Sequence, residues 1–110
     1  MPAEHPLPEP LIELVAHRFR VIGEPMRIRL LERLRHGPAT VGHLADTLGA
    51  TQQNVSKHLG VLHQAGILSR EKQGTAVRYT ITDPTVFELC DLVCGRLRQQ
   101  FTELAQRLTP

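Results

Sequence analysis

The stretch Thr51-Gln52-Gln53-Asn54-Val55-Ser56-Lys57-His58-Leu59-Gly60-Val61-Leu62-His63-Gln64-Ala65-Gly66 decides the fold. Val55, Leu59 and Leu62 recur at helical spacing and form one apolar stripe, while Gln52, Gln53, Ser56, Lys57 and Gly60 fall away from it. The outward face is short, polar and nearly free of acid. Thr51 is suited to cap the start by accepting from an orphan backbone N–H, and Gly66 to end the helix in a left-handed conformation closed to most other residues. Such a helix can lie in a groove of DNA, or it can be a structural helix with a solvated face. Its flanks decide between the two.

Upstream, Thr40 caps a short helix in which Val41, Leu44, Ala45 and Leu48 turn inward before Gly49 ends it. A short helix, a tight turn with glycine and a second helix with a polar outer face make a helix-turn-helix. Downstream, Val77, Tyr79 and Ile81 alternate with Ala76, Arg78 and Thr80, the period of a strand with one buried face. With Ile67 to Gln73 as its partner and Gly74 supplying a positive φ in the turn, this is a two-stranded wing. Its tip is expected to carry Lys72, Gln73, Thr75 and Arg78 toward phosphates or the minor groove.

Before this unit lie two further helices. Leu11, Leu14, Val15, Phe19 and Ile22 make the first, stopping near Gly23, and its stripe needs a partner surface. Pro25 opens the second, with Met26, Ile28, Leu30, Leu31 and Leu34 inside and Arg27, Arg29, Arg33 and Arg35 read as a solvated face, ending at Gly37-Pro38. Residues 1–10, with Pro2, Pro6, Pro8 and Pro10, read as a flexible or extended arm, leaving 11–108 as the folded domain. After the wing, Asp83-Pro84 opens a long last helix. Cys90, Cys94, Leu97, Phe101, Leu104 and Leu108 form a heptad seam there, widened by Leu89 and Val93. The expected fold is mainly α with a small β-wing, a winged helix-turn-helix of order α-α-α-α-β-β-α that dimerises through its terminal helices.

Composition agrees. A chain of 110 residues without Trp has a modest core built from Leu, Val, Ile and Ala, and a partner subunit would help it. The formal net charge is only +2, but it is unevenly placed. Arg18 and Arg20 are outnumbered by Glu4, Glu9, Glu13 and Glu24 at the N-terminus, whereas Lys57, Arg70, Lys72 and Arg78 face only Glu71 in residues 51–82. Positive charge thus sits where DNA contact is expected. No apolar run approaches the roughly 20 residues that span a bilayer, and the first residues show no basic region followed by an apolar core. A cytoplasmic location with reduced cysteines is expected.

The strings Gly23-Glu24-Pro25-Met26-Arg27-Ile28-Arg29-Leu30-Leu31, Leu44-Ala45, Asn54-Val55-Ser56-Lys57-His58-Leu59-Gly60-Val61-Leu62, Ala65-Gly66-Ile67-Leu68, and Gly74 with Arg78-Tyr79 resemble the ArsR/SmtB family of bacterial winged-helix repressors. The resemblance implies a homodimer on double-stranded DNA, at an operator with imperfect two-fold symmetry, released when an effector binds. The family's metal boxes do not carry over. Where one of them places Cys-x-Cys ahead of the Leu-Ala pair, this chain has Thr40-Val41-Gly42-His43, and its last helix holds no histidine for the other.

Among candidate residues, Gln52, Gln53, Asn54 and Ser56 have donors and acceptors suited to base edges, and Thr51, Lys57 and Arg78 suit phosphates. Lys72 and Thr75 complete the DNA-binding set, as does His58, for which a packed or internally bonded role is the alternative. Cys90 and Cys94 share one helix face, so a dimer would gather four thiols able to take a soft metal or metalloid or to act as a redox switch. They read equally as small apolar residues filling the seam. A disulfide between them is strained, with Cα atoms about 6 Å apart on one helix. The six histidines show no ligand spacing, no other metal site is assigned, and no catalytic set is present. Two rival readings stand beside the regulator: a winged-helix protein-interaction module, and an effector-independent regulator whose cysteines only pack.

Overall fold

The computed structural model describes residues 6–109, in the order α1 (Glu9–Ile22), α2 (Pro25–Leu34), β1 (Ala39–Thr40), α3 (Val41–Leu48), α4 (Gln52–Gln64), β2 (Leu68–Gln73), β3 (Ala76–Ile81) and α5 (Thr85–Leu108). The local signals act as anticipated. The Thr40 and Thr51 hydroxyls accept from the backbone N–H of His43 (3.2 Å) and Asn54 (3.1 Å), capping α3 and α4. Gly49, Gly66 and Gly74 hold φ of 64°, 81° and 63°, a region that a β-carbon disfavours. Glu24 caps α2 through its carboxylate, which accepts from the Arg27 N–H at 3.0 Å.

Helix α1 begins at Glu9, two residues before Leu11, because Pro10 falls in the first turn where no N–H is needed. The arm is accordingly shorter than residues 1–10, and its residues 1–5 lie outside the described residues. The wing is also larger than a two-stranded hairpin. Strand β1 joins as a third strand in the order β1-β3-β2, all antiparallel, with Ala39 opposite Tyr79 and Thr40 opposite Arg78. A two-residue strand is too short to show alternation, so nothing local announces it.

The core lies where α2, α3 and α4 meet the sheet. Leu30, Leu31, Leu44, Val55, Leu59, Leu62 and Ile67 are fully enclosed, joined by Tyr79 and by Val86 from the start of α5. Two helices stand partly outside it. In α1 only Val21 and Ile22 are buried, leaving Leu11, Leu14, Val15 and Phe19 exposed. In α5, Phe87, Leu89 and Cys90 still pack on the core, but residues 91–108 are all exposed, among them Val93, Leu97, Phe101, Leu104 and Leu108. Among the described residues no helix is long and apolar enough to cross a membrane.

Candidate nucleic-acid interface

The N-terminal half of α4 presents Gln52, Gln53, Asn54, Ser56 and Lys57 to solvent, with Thr51 beside them at the cap. Val55, Leu59 and Leu62, fully buried, hold this face outward by anchoring the opposite one. The helix carries no acid and opens with backbone N–H groups directed outward, so both its side chains and its dipole favour phosphate oxygens. A groove of about 530 Å³ separates this face from the wing. Gln52, Gln53 and Ser56 form one wall, Thr75, Ala76 and Val77 another, and Thr40, Val41 and Gly42 the floor at the start of α3. On the other flank, Thr51, Gln53, Asn54 and Lys57 line a shallower concavity.

Eight of the ten expected contact residues are therefore exposed: Thr51, Gln52, Gln53, Asn54, Ser56 and Lys57 on α4 or its cap, with Lys72 and Thr75 on the wing. The remaining two are placed differently. His58 turns inward, its side chain 12% exposed, where Nδ1 lies 3.0 Å from Arg27 Nη1 and 3.8 Å from Glu24 Oε1. Its imidazole is committed to α2, so its role is internal. Arg78 is not at the wing tip but in the central strand, half-buried between Thr40 and Glu71, whose carboxylate lies 3.6 Å from its guanidinium. Its Nε is buried without a hydrogen-bond partner, and the side chain does not line the groove between α4 and the wing. Thr40, Val41 and Gly42 were missed as groove residues because Thr40 already had a local explanation as a cap. A β-carbon on Gly42 would meet the Gln52 side-chain amide at 3.6 Å, an ordinary contact, so no signal in the sequence marks this position as part of the groove.

The second-helix arginines are not simply a solvated face. Arg27 bonds to α1 and α4, Arg33 donates to the Gly37 carbonyl, and Arg35 stacks 4.4 Å from the Phe87 ring centroid while reaching Asp91 at 2.9 Å. Arg35 thus helps fix the base of α5.

Cys90 and Cys94 line an apolar groove of about 390 Å³ with Phe19, Ile22, Ile28, Leu89, Val93 and Leu97. Burial pushes the Cys90 thiol up, only partly offset by the Arg35 charge, whereas Cys94 is exposed. Two thiols on one face fit a soft, thiol-seeking ion better than a hard one. Among the described residues of one protomer no three His, Cys, Asp or Glu side chains converge, so any further ligand must come from outside it.

A helix-turn-helix whose second helix is held polar side out beside a β-wing defines a winged helix-turn-helix DNA-binding domain. A family model described as a helix-turn-helix domain matches residues 22–71, and the uncharacterized HTH-type transcriptional regulator Rv0081 of Mycobacterium tuberculosis is 39% identical over 82 residues, 74% of this chain and 72% of that protein. The chain belongs to the ArsR/SmtB family of transcriptional regulators, DNA-binding proteins rather than enzymes. The HTH-type transcriptional regulator NmtR of M. tuberculosis is 33% identical over 86 residues, 78% of this chain and 72% of NmtR. In three dimensions the Rv0081 crystal structure matches with a TM-score of 0.78 at 33% identity, covering 89% of this chain and 99% of that one. The antimony-specific transcriptional repressor AntR gives 0.79 at 28% identity, covering 89% of both chains.

Proposed function

We propose that this protein is a cytoplasmic homodimeric repressor that binds a two-fold symmetric DNA operator, with α4 in the major groove and the β2–β3 turn beside it. The observation that carries this is the continuous, acid-free, exposed face from Thr51 to Lys57, facing the wing across an open groove. Gln52, Gln53, Asn54 and Ser56 read base edges, while Thr51, Lys57, Lys72 and Thr75 hold phosphates and set register. The exposed apolar stripes of α1 and α5 supply the dimer interface.

Release follows from a thiol-directed signal at Cys90 and Cys94, a soft metal or metalloid or an oxidant, which changes the separation of the two α4 helices. The support is chemical. Both thiols lie on the groove between α1, α2 and the seam, so a change there acts on the helices that join the protomers. AntR, an antimony-specific repressor, shares the fold.

Fluorescence anisotropy against the DNA upstream of the gene, across salt concentrations, tests the first part. Binding should weaken steeply with salt, and Gln52→Ala with Ser56→Ala should abolish site preference while leaving the dimer intact. No binding at low salt refutes the repressor, and retained site preference in the double variant returns the fold to a protein-interaction role. Operator release that persists unchanged in Cys90→Ser with Cys94→Ser removes the thiol signal and leaves the cysteines as packing.

A further inference from the structure

Helix α1 ends at Ile22 with four carbonyls that lack helical partners, and each is satisfied. The Phe19 carbonyl accepts from the Gly23 N–H at 2.8 Å and that of Ile22 from the Glu24 N–H at 2.8 Å. The other two belong to a single side chain. Arg27, from the first turn of α2, donates through Nε to the Val21 carbonyl at 2.6 Å and through Nη2 to that of Arg20 at 3.4 Å. The same guanidinium extends Nη1 to His58 Nδ1 on α4 at 3.0 Å. Because arginine only donates, His58 Nδ1 is the acceptor in this bond.

A second arginine repeats the connection in reverse. Arg18 leaves α1 and donates through Nη2 to the Ala65 carbonyl, at the C-terminal cap of α4, at 3.0 Å. Its Nη1 reaches Asp83 Oδ2, just before α5, at 3.2 Å. His58 and Ala65 are seven residues apart, which is about 10 Å along a helix axis. The DNA-reading helix is thus tied to α1 at two separated points. Buried Val55, Leu59 and Leu62 hold α4 on the core, and two separated ties resist its tilting relative to α1 more than one would. The rigid fork of arginine suits this role, since its donors cannot be rotated independently of one another.

We infer that Arg27 with His58, and Arg18 with Ala65 and Asp83, are positioning contacts that set the direction of α4 relative to the dimerising helices, and thereby the half-site spacing the dimer accepts. None of these groups needs to touch DNA. The inference rests on the dimeric repressor reading, because spacing has meaning only when two α4 helices are joined.

The test compares the wild type with His58→Leu, which removes the acceptor but leaves Arg27 on the α1 carbonyls, with Arg18→Gln, and with His58→Asn, whose side-chain oxygen can still accept. The probes are the upstream duplex bound by the wild type, the same duplex with one base pair added or removed at its centre of symmetry, and a duplex holding one half-site. One base pair displaces the half-sites by about 3.4 Å and rotates them by about 35°. The wild type should discriminate against it by about tenfold or more, comparable to a mismatched base pair. His58→Leu and Arg18→Gln should keep half-site affinity and dimerisation, yet discriminate by less than about threefold, with His58→Asn restoring the preference.

Spacing preference unchanged in both variants overturns the inference. So does loss of half-site and full-site binding in parallel with thermal stability, which marks a general structural role. As a readout without DNA, spin labels at Gln64→Cys in a Cys90→Ser, Cys94→Ser background should give a narrow inter-protomer distance distribution that broadens on His58→Leu; an equally narrow one also overturns it. A wild type that binds no DNA at low salt but shows the broadening fails the repressor reading alone.

Discussion

Phe101 offers the sharpest test of how α5 is used. In one protomer it is 74% exposed and touches little, so its truncation should not weaken the fold of that protomer. If the seam is the dimer interface, the exposed part becomes buried on association. Full burial of a phenylalanine side chain is worth about 1.5–3 kcal/mol, so the covered share amounts to about 1–2 kcal/mol per protomer. Two-fold symmetry counts it twice. Phe101→Ala should therefore weaken dimerisation by about 2–4 kcal/mol, or about 30- to 1000-fold in Kd. Leu92 provides the control: it is also 74% exposed, and it lies nine residues earlier on the same helix. At 3.6 residues per turn that is about two and a half turns, which puts it on the opposite face, among Glu88, Arg96 and Gln99. Sedimentation equilibrium on Phe101→Ala and Leu92→Ala reads both constants. The melting temperature of the wild type should also rise with protein concentration, as a folding equilibrium coupled to dimerisation requires. Equal dimer affinities for the two variants would refute the seam, and a greater loss for Leu92→Ala would mean that the opposite face of α5 is the one covered.

Other outcomes follow from the core, the caps and the charges. Leu59→Ala removes a fully enclosed side chain beneath the DNA-reading face and should cost about 2–5 kcal/mol of stability, measured by urea unfolding. Thr51→Ala deletes the cap on the Asn54 N–H and should cost about 1 kcal/mol, with a parallel drop in DNA affinity on the proposal that this end of α4 meets the duplex. Hydrogen bonds from Thr85, aided by Arg18, hold the Asp83 carboxyl below the ordinary carboxylate range. A depressed pKa of this kind contributes stability that is complete at neutral pH and is lost as pH falls through the folded-state value. The acid-side decline in melting temperature should be shallower in Asp83→Asn, and an identical pH profile would remove Asp83 from the account.

The exposed apolar face of α1 and α5 and the cysteines share one neighbourhood. Phe19 and Ile22 of α1 and Val93 and Leu97 of α5 line the same groove as both thiols, and Arg35 with Asp91 braces the other side of α5. Cys94 thus lies on a helix that packs on the core only near its start, so the proposed thiol signal would have a lever without requiring the core to rearrange.

What could be read along the chain was whatever is decided within a few residues. Thr40, Thr51, Gly49, Gly66 and Gly74 act on backbone groups beside them, and the stripe of Val55, Leu59 and Leu62 is a property of one helix, so the helix-turn-helix and its exposed face were legible in advance. The exposed seam of α5 was legible for the same reason. Partnerships across the chain were not. Strand β1 exists because Ala39 meets Tyr79, forty residues away, and His58 turns inward because Arg27, thirty-one residues earlier, offers it a donor. Arg78 sits in a central strand only once β1 has joined the sheet, and the groove under Gln52 needs the start of α3 and the wing to close around it. Periodicity and capping report energies that depend on neighbours in sequence, whereas these contacts depend on where packing brings distant segments together. The exposed polar face of α4 was therefore visible before the fold, and the arginine contacts that tie α4 to α1 became visible only in it.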